Sequence, residues 1–229
     1  MPVWQEFYGK HHASDFEILS IAVDVQGASV AKPYVDKAGV TFPVAVDTAD
    51  VLGQAFGLKA IPVSIFVDEV GIVRLHGGGP SKELFAQIEE LLREPVTNLR
   101  GTAPQLATAA STEELERKVA ASSNDWKARV ALARAYVDGG RSDEAIAHLE
   151  AVAKLKPAES SVPFVWGLVL LQQGQKDAAL TKLKQARDLD PDNWRIRKQI
   201  WAIENPDKFY NSESPDYAWQ GEQLKKEKK

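Results

Sequence analysis

The chain has 229 residues, which fits one or two domains of ordinary size. Apolar residues make up 44% and charged residues 26%, the balance of a globular protein, and the net charge of −4 offers nothing that would draw the whole chain to nucleic acid. There are no cysteines, so disulfides, thiolate metal sites, iron–sulfur clusters and cysteine nucleophiles are all excluded. No apolar run approaches the roughly 18–20 residues needed to span a bilayer. The first residues lack the basic and apolar regions of a signal peptide, so the default expectation is a cytoplasmic protein.

Residues 2–94 read as alternating helices and strands. Pro2 suits a first helical turn, and Val3, Trp4, Phe7 and Tyr8 recur at helical spacing. Residues 18–24 form an apolar, β-branched run ending in Asp24, the pattern of a buried parallel strand. A helix over 28–38 stops at Gly39. An extended piece follows at 42–47, then a short helix over 49–56 ended by Gly57. Residues 60–68 and 72–76 flank Glu69-Val70-Gly71 and predict a β-hairpin. Ser81 is the expected N-cap of a helix over 82–93.

Residues 95–110 lose periodicity and gain Pro, Gly and Thr, as an interdomain linker does. Ser111 and Glu114 then form a capping box that opens a helix. Beyond it the sequence repeats. Ala133, Gly140, Ala145, Leu149, Val152 and Pro157 recur 34 residues later as Gly167, Gly174, Ala179, Leu183, Ala186 and Pro191. Small residues let paired helices approach, the glycine makes the turn between them, and the proline stops the second helix. This pattern resembles tetratricopeptide repeats, two of them at about 126–159 and 160–193, with a capping helix from Trp194 to about Ile203. On the resemblance, Val130, Arg134, Val137, Phe164, Leu168 and Leu171 line the concave face. Arg134 and Leu168 stand where the family's carboxylate clamp uses Lys and Asn, which argues for an apolar helix or extended segment as ligand. Two repeats fall short of the roughly three needed for independent stability. Part of this face is therefore expected to pack on the α/β domain or on a second subunit. The aromatic, Pro-interrupted tail 204–229 is expected to dock back onto a domain surface and to fray at its terminal lysines.

Residues 1–94 resemble thioredoxin-like thiol–disulfide oxidoreductases of the redoxin type. The resemblance rests on Met1-Pro2, the strand ending Val23-Asp24, Gly39-Val40-Thr41-Phe42-Pro43-Val44, Phe56-Gly57-Leu58, Ile61-Pro62 and the hairpin at 68–73. In the family the first core strand and a Cys-x-x-Cys pair come before the position of Met1, and neither is present here. The fold implied is an incomplete α/β thioredoxin-like domain fused to an all-α repeat domain, an architecture shared with chaperedoxin-type folding helpers. The resemblance also implies a cis bond at Ile61–Pro62 and a peptide-docking edge over Ile61, Pro62 and Val63. Without the first strand, the strands near 17–24 and 63–67 each expose unpaired backbone. They are expected either to pair directly or to accept a strand from another chain, a second copy included. Disulfide exchange needs a thiolate, so no catalytic residue is assigned, and Ser14 and Ser64 have no evident base.

Other clusters carry simpler readings. His11 and His12 diverge on a helix and are expected at the surface, with no metal site. His76 is expected to be structural and His148 exposed. Gly77-Gly78-Gly79-Pro80-Ser81 lacks nucleotide-binding spacing and reads as a hairpin-to-helix loop. Asp24 and Asp68 read as strand-terminal turn residues. No cofactor is implied. The leading function is a redox-inactive module that binds protein or peptide partners, with no nucleic acid and no membrane. The alternatives are a thiol–disulfide oxidoreductase whose cysteines lie upstream of Met1, and a holdase-type chaperone.

Overall fold

The computed structural model describes residues 1–14, 16–58, 60–94, 110–210 and 216–227. The linker expected at 95–110 lies outside these residues, apart from Ala110. The α/β part runs α1 (Pro2–His11), β1 (Ser20–Ala22), α2 (Ala28–Ala38), β2 (Val44–Val46), α3 (Val51–Ala55), β3 (Ser64–Val67), β4 (Val73–Gly77) and α4 (Lys82–Arg93). The strand expected over 18–24 and the helix over 49–56 are thus shorter at both ends. β1 pairs in parallel with β2, with Ile21 opposite Ala45. β3 pairs antiparallel with β4, with Phe66 opposite Leu75.

One apolar cluster underlies the β3–β4 sheet and reaches Ile18, just ahead of β1. Phe7 of α1, Phe16, and Leu84 and Ile88 of α4 form its buried centre, with Ile18, Phe66 and Leu75 packed against it. The Phe7 ring stacks on Phe85 at 4.6 Å between centroids and meets Phe16 edge-on at 5.6 Å, geometries favoured by the ring quadrupoles. Val3 departs from the expected helical stripe: it is 52% exposed, while Trp4, Phe7 and Tyr8 face the cluster. The α4 N-cap is as read, with Ser81 Oγ accepting from the Leu84 amide at 3.1 Å.

The helical array runs α5 (Thr112–Ala121), α6 (Trp126–Asp138), α7 (Ser142–Leu155), α8 (Ser161–Gln172), α9 (Lys176–Leu189) and α10 (Trp194–Glu204). The Ser111–Glu114 capping box closes in both directions, at 3.2 and 2.9 Å. Ala145, Ala179, Leu149 and Leu183 are fully buried at the inter-helix seams. Gly140 and Gly174 turn the chain between paired helices at φ +72° and +73°. A Cβ there would meet no neighbour, so the requirement is purely on the backbone. Gly174→Ala is accordingly expected to cost about 1 kcal/mol through the left-handed backbone alone. Urea unfolding should show a lower midpoint with an unchanged slope.

The tail is ordered well beyond the capping helix. It forms α11 (Asp207–Tyr210) and α12 (Tyr217–Glu227). Trp201, Ala202 and Phe209 make a second small core, flanked by Trp194 and Trp219. Glu227 accepts from Trp201 Nε1 at 2.8 Å and pairs with Arg197 Nε at 2.8 Å. The expected fraying at the terminal lysines is therefore corrected as far as Glu227: the helix carrying Lys225 and Lys226 is anchored at its last described residue.

Candidate interaction site

Three features of the α/β part meet the helical array. The first is the loop before α3. The Asp47 carboxylate accepts from the amides of Val51, Leu52 and Gly53 at 2.7, 3.0 and 3.3 Å, satisfying the otherwise unpaired first turn of α3. Asp50 takes a left-handed backbone at φ 59°, the only such non-glycine position among the described residues. Its carboxylate is buried and gripped by two arginines from different repeat-domain helices. Arg134 Nη1 of α6 lies 3.1 Å and Arg195 Nη2 of α10 lies 2.8 Å from Asp50 Oδ2. Arg134 Nη1 also donates to the Ala49 carbonyl at 2.8 Å. Burial opposes the Arg134 charge, and Asp50 is the chief group that favours it.

The second is the cis Ile61–Pro62 bond. Lys198 of α10 donates to the Ile61 carbonyl at 3.2 Å, and partial burial lowers its pKa. Pro62 is exposed at the surface between this contact and Gly79, where an added Cβ would lie 3.0 Å from the proline ring. The expected docking segment Ile61, Pro62 and Val63 thus has one of its carbonyl acceptors already engaged by the array.

The third joins residues 23–34 to the tail. Gln199 brackets the end of β1, donating to the Val23 carbonyl at 2.7 Å. The Tyr210 hydroxyl donates to Asp24 Oδ1 at 2.8 Å and accepts from Gln26 Nε2 at 3.2 Å, while the Tyr34 hydroxyl donates to the Phe209 carbonyl. Asp24 is therefore more than a turn residue. Burial raises its pKa, only partly offset by the Tyr210 hydrogen bond, and burial together with the Asp24 charge pushes the Tyr210 hydroxyl above its usual range. A carboxyl whose folded pKa is raised contributes stability that is complete below the unfolded value, about 3.9, and is lost as pH rises through the folded value. Asp24→Asn keeps the acceptor for Tyr210 and removes the charge. It is expected to raise the melting temperature by a few degrees at neutral pH, with the gain vanishing near pH 3, as measured by calorimetry across pH.

The concave face is filled from within. Val130, Arg134, Val137, Phe164 and Leu168 are all at most 6% exposed, and Leu171 is half-buried. Ala49 and Val25 of the α/β part belong to the same apolar cluster as the repeat helices. Of the two packings expected for this face, the one on the α/β part is seen. The reason is chemical: Arg134, in the middle of that face, finds its carboxylate in Asp50 of the same chain.

Direct pairing of β1 with β3 is not formed either. Among the described residues each sheet has two strands and no ladder joins them. The bonds from Ser20 N to Pro43 O and from Asp47 N to Ala22 O turn Ser20 and Ala22 toward β2. Strand alternation then points the Ile21 N–H and C=O to the opposite, unpaired edge. Leu19 beside β1 is 61% exposed, and Val67 at the end of β3 is 49% exposed.

The histidines fall mostly outside this interface. His11 is half-buried against Phe7, with Nε2 3.3 Å from Glu89 Oε1, and so is not a free surface residue. His148 is likewise half-buried, hydrogen-bonded with Arg129 at 3.2 Å beside Tyr136, which corrects the expectation of exposure. His76 pairs across the hairpin with Ile65. Sequence reasoning missed Asp50, Arg195, Lys198, Gln199 and Tyr210 as contact residues. The one local signal was Asp50 itself, an acidic residue in a turn that needs a left-handed backbone.

The fold and this interface define a thioredoxin-like α/β part lacking its first core strand, clasped to a helical repeat array. Comparison with known proteins agrees on both halves. Residues 108–161 and 164–198 match the tetratricopeptide repeat model. Over 94 residues the chain is 28% identical to the thiol-disulfide oxidoreductase ResA of Halalkalibacterium halodurans, covering 41% of this chain and 53% of the relative. It is 30% identical over 95 residues to ResA of Bacillus thuringiensis, with the same coverage. The chain thus spans about half the length of the curated relatives it matches. Solved structures of MamA overlap 48% and 51% of this chain, at 27% and 26% identity and a TM-score of 0.37 in both cases, covering 61% and 67% of the MamA chains (AMB-1 and MSR-1). No helix among the described residues is long and apolar enough to cross a membrane.

Proposed function

We propose that this polypeptide is a redox-inactive interaction scaffold whose α/β part accepts an extended segment of a protein partner as an added strand. The observation that supports the reading is the pair of two-stranded sheets that no ladder joins among the described residues. An unpaired strand edge flanked by exposed apolar side chains favours strand addition, because incoming backbone satisfies N–H and C=O groups that water alone otherwise serves. Exposed Leu19 and Val67 flank the two candidate edges, and Ile61, Pro62 and Val63 lead into one of them. The repeat array in this reading is the frame that holds the α/β part, since its concave face is occupied internally. The absence of cysteine supports redox inactivity: disulfide exchange proceeds through a thiolate, and the 229 residues contain none.

A second reading is favoured by the similarity to ResA. The chain would be part of a longer thiol–disulfide oxidoreductase in which the missing strand and its cysteines complete the same gap. One experiment addresses both. The 229-residue chain is mixed with insulin and dithiothreitol, and amide hydrogen exchange is followed with and without an extended β-forming peptide. The expected result is no acceleration of insulin reduction, with peptide-dependent protection at Ile21 and in β3. Insulin turnover above buffer would overturn redox inactivity. Unchanged exchange at Ile21 and β3 at saturating peptide would overturn strand acceptance.

A further inference from the structure

A second cleft of the array lies on the side of α8 opposite its buried concave face. Trp166 is two residues from both Phe164 and Leu168, so it projects from α8 about 200° away from that buried face. There Ala153, Pro157, Val162, Pro163 and Trp166 wall a cleft of about 180 Å³ between α7, α8 and α9. The space is below the roughly 300–1,000 Å³ typical of small-molecule pockets and suits one bulky side chain. Lys156 and Lys182 stand on its rim with Gln185, and no carboxylate lines it. The Lys182 ammonium lies 4.0 Å over the Trp166 ring centroid, which holds it beside the opening. Among the described residues neither lysine has an ion-pair partner, although the chain carries 32 acidic against 28 basic residues.

We propose that this cleft docks an acidic segment of a protein partner, which inserts one bulky apolar side chain against Trp166 and places flanking carboxylates on Lys156 and Lys182. The apolar walls supply the attraction for the side chain, and the two unpaired ammonium groups select the sign of its neighbours. This surface is independent of the strand-acceptance reading and survives its failure.

The test uses the full chain and a fluorescent acetylated peptide with a central leucine flanked by aspartates in a glycine background. Anisotropy titration is expected to show saturable binding that weakens several-fold between about 50 and 300 mM salt, as contacts between exposed charges do. Leucine-to-glycine replacement in the peptide should abolish it. The double variant Lys156→Glu/Lys182→Glu should bind at least tenfold more weakly while melting as the parent does. Should that variant misfold, the neutral pair Lys156→Gln/Lys182→Gln is expected to show the same direction of loss. Absence of saturation at millimolar peptide, affinity indifferent to the lysine changes, or equal binding of a lysine-flanked peptide would overturn the proposal. So would tighter binding, at this cleft, of anionic phospholipid vesicles or of an oligothymidylate.

Discussion

Asp50→Ala is expected to destabilise the protein by about 3–5 kcal/mol, the cost typical of removing one partner from a buried ion pair. The carboxylate compensates two guanidinium groups that are almost wholly sequestered from water. Arg134 Nε and Nη2 and Arg195 Nε and Nη1 find no acceptor among the described residues, and the other acceptors of Arg134 Nη1, the Ala49 and Asp50 carbonyls, carry no charge to offset the guanidinium. The change should be visible as a large drop in the urea midpoint. It should also loosen both parts together, since the lost contact joins the loop before α3 to α6 and α10. Asp50→Asn keeps a polar acceptor but not the charge, and should fall between parent and alanine variant. Combining Asp50→Ala with Arg134→Met and Arg195→Met should recover much of the loss, because apolar replacement of a whole buried ionic group is often close to neutral. A triple variant no more stable than Asp50→Ala alone would show that the stranded charges are not the cause.

The second large effect lies in the seam between α8 and α9. Leu183 is fully buried, and Leu183→Ala is expected to cost about 2–5 kcal/mol from lost burial plus the cavity left behind. The cavity would open directly against Gly167. A Cβ on that glycine would lie 2.8 Å from Leu183 Cγ, 2.9 Å from its Cδ2 and 3.4 Å from the Ala179 carbonyl oxygen. Gly167→Ala alone sets a helix-propensity gain of about 1 kcal/mol against overpacking of roughly 1–3 kcal/mol. The net is expected to be a modest loss. In the double variant the new methyl enters the space that Leu183 vacates, so overpacking disappears and the propensity gain remains. The double variant should therefore be more stable than Leu183→Ala by about 1 kcal/mol. Thermal or urea unfolding of the four proteins gives the cycle, and strict additivity would deny the contact.

Much of the helical half could be read from spacing alone. Gly140 and Gly174 stand 34 residues apart and adopt the same left-handed turn, because the repeat needs that backbone at that point. Ser111 with Glu114, and Ser81, announce helix starts through local chemistry that no tertiary contact alters. The α/β elements were legible in order but not in length: Ile18 and Val23 have strand-like side chains, yet the backbone partner β2 is only three residues long, and pairing stops with it. The interface was not legible, for a physical reason. Asp50 meets Arg134 and Arg195 across 84 and 145 residues, and Tyr210 meets Asp24 across 186. No local rule pairs residues at such distances. An acidic turn residue, a buried-face arginine and a tail tyrosine each have an adequate local reading until the fold brings them together.

The grip on Asp50 has a mechanical consequence. Its two arginines belong to α6, in the first repeat, and to α10, which ends the stack, with α8 between them. A single carboxylate therefore works as a clasp that ties α6 to α10 through the α/β part. Separating α6 from α10 therefore requires breaking at least one of these buried ion pairs.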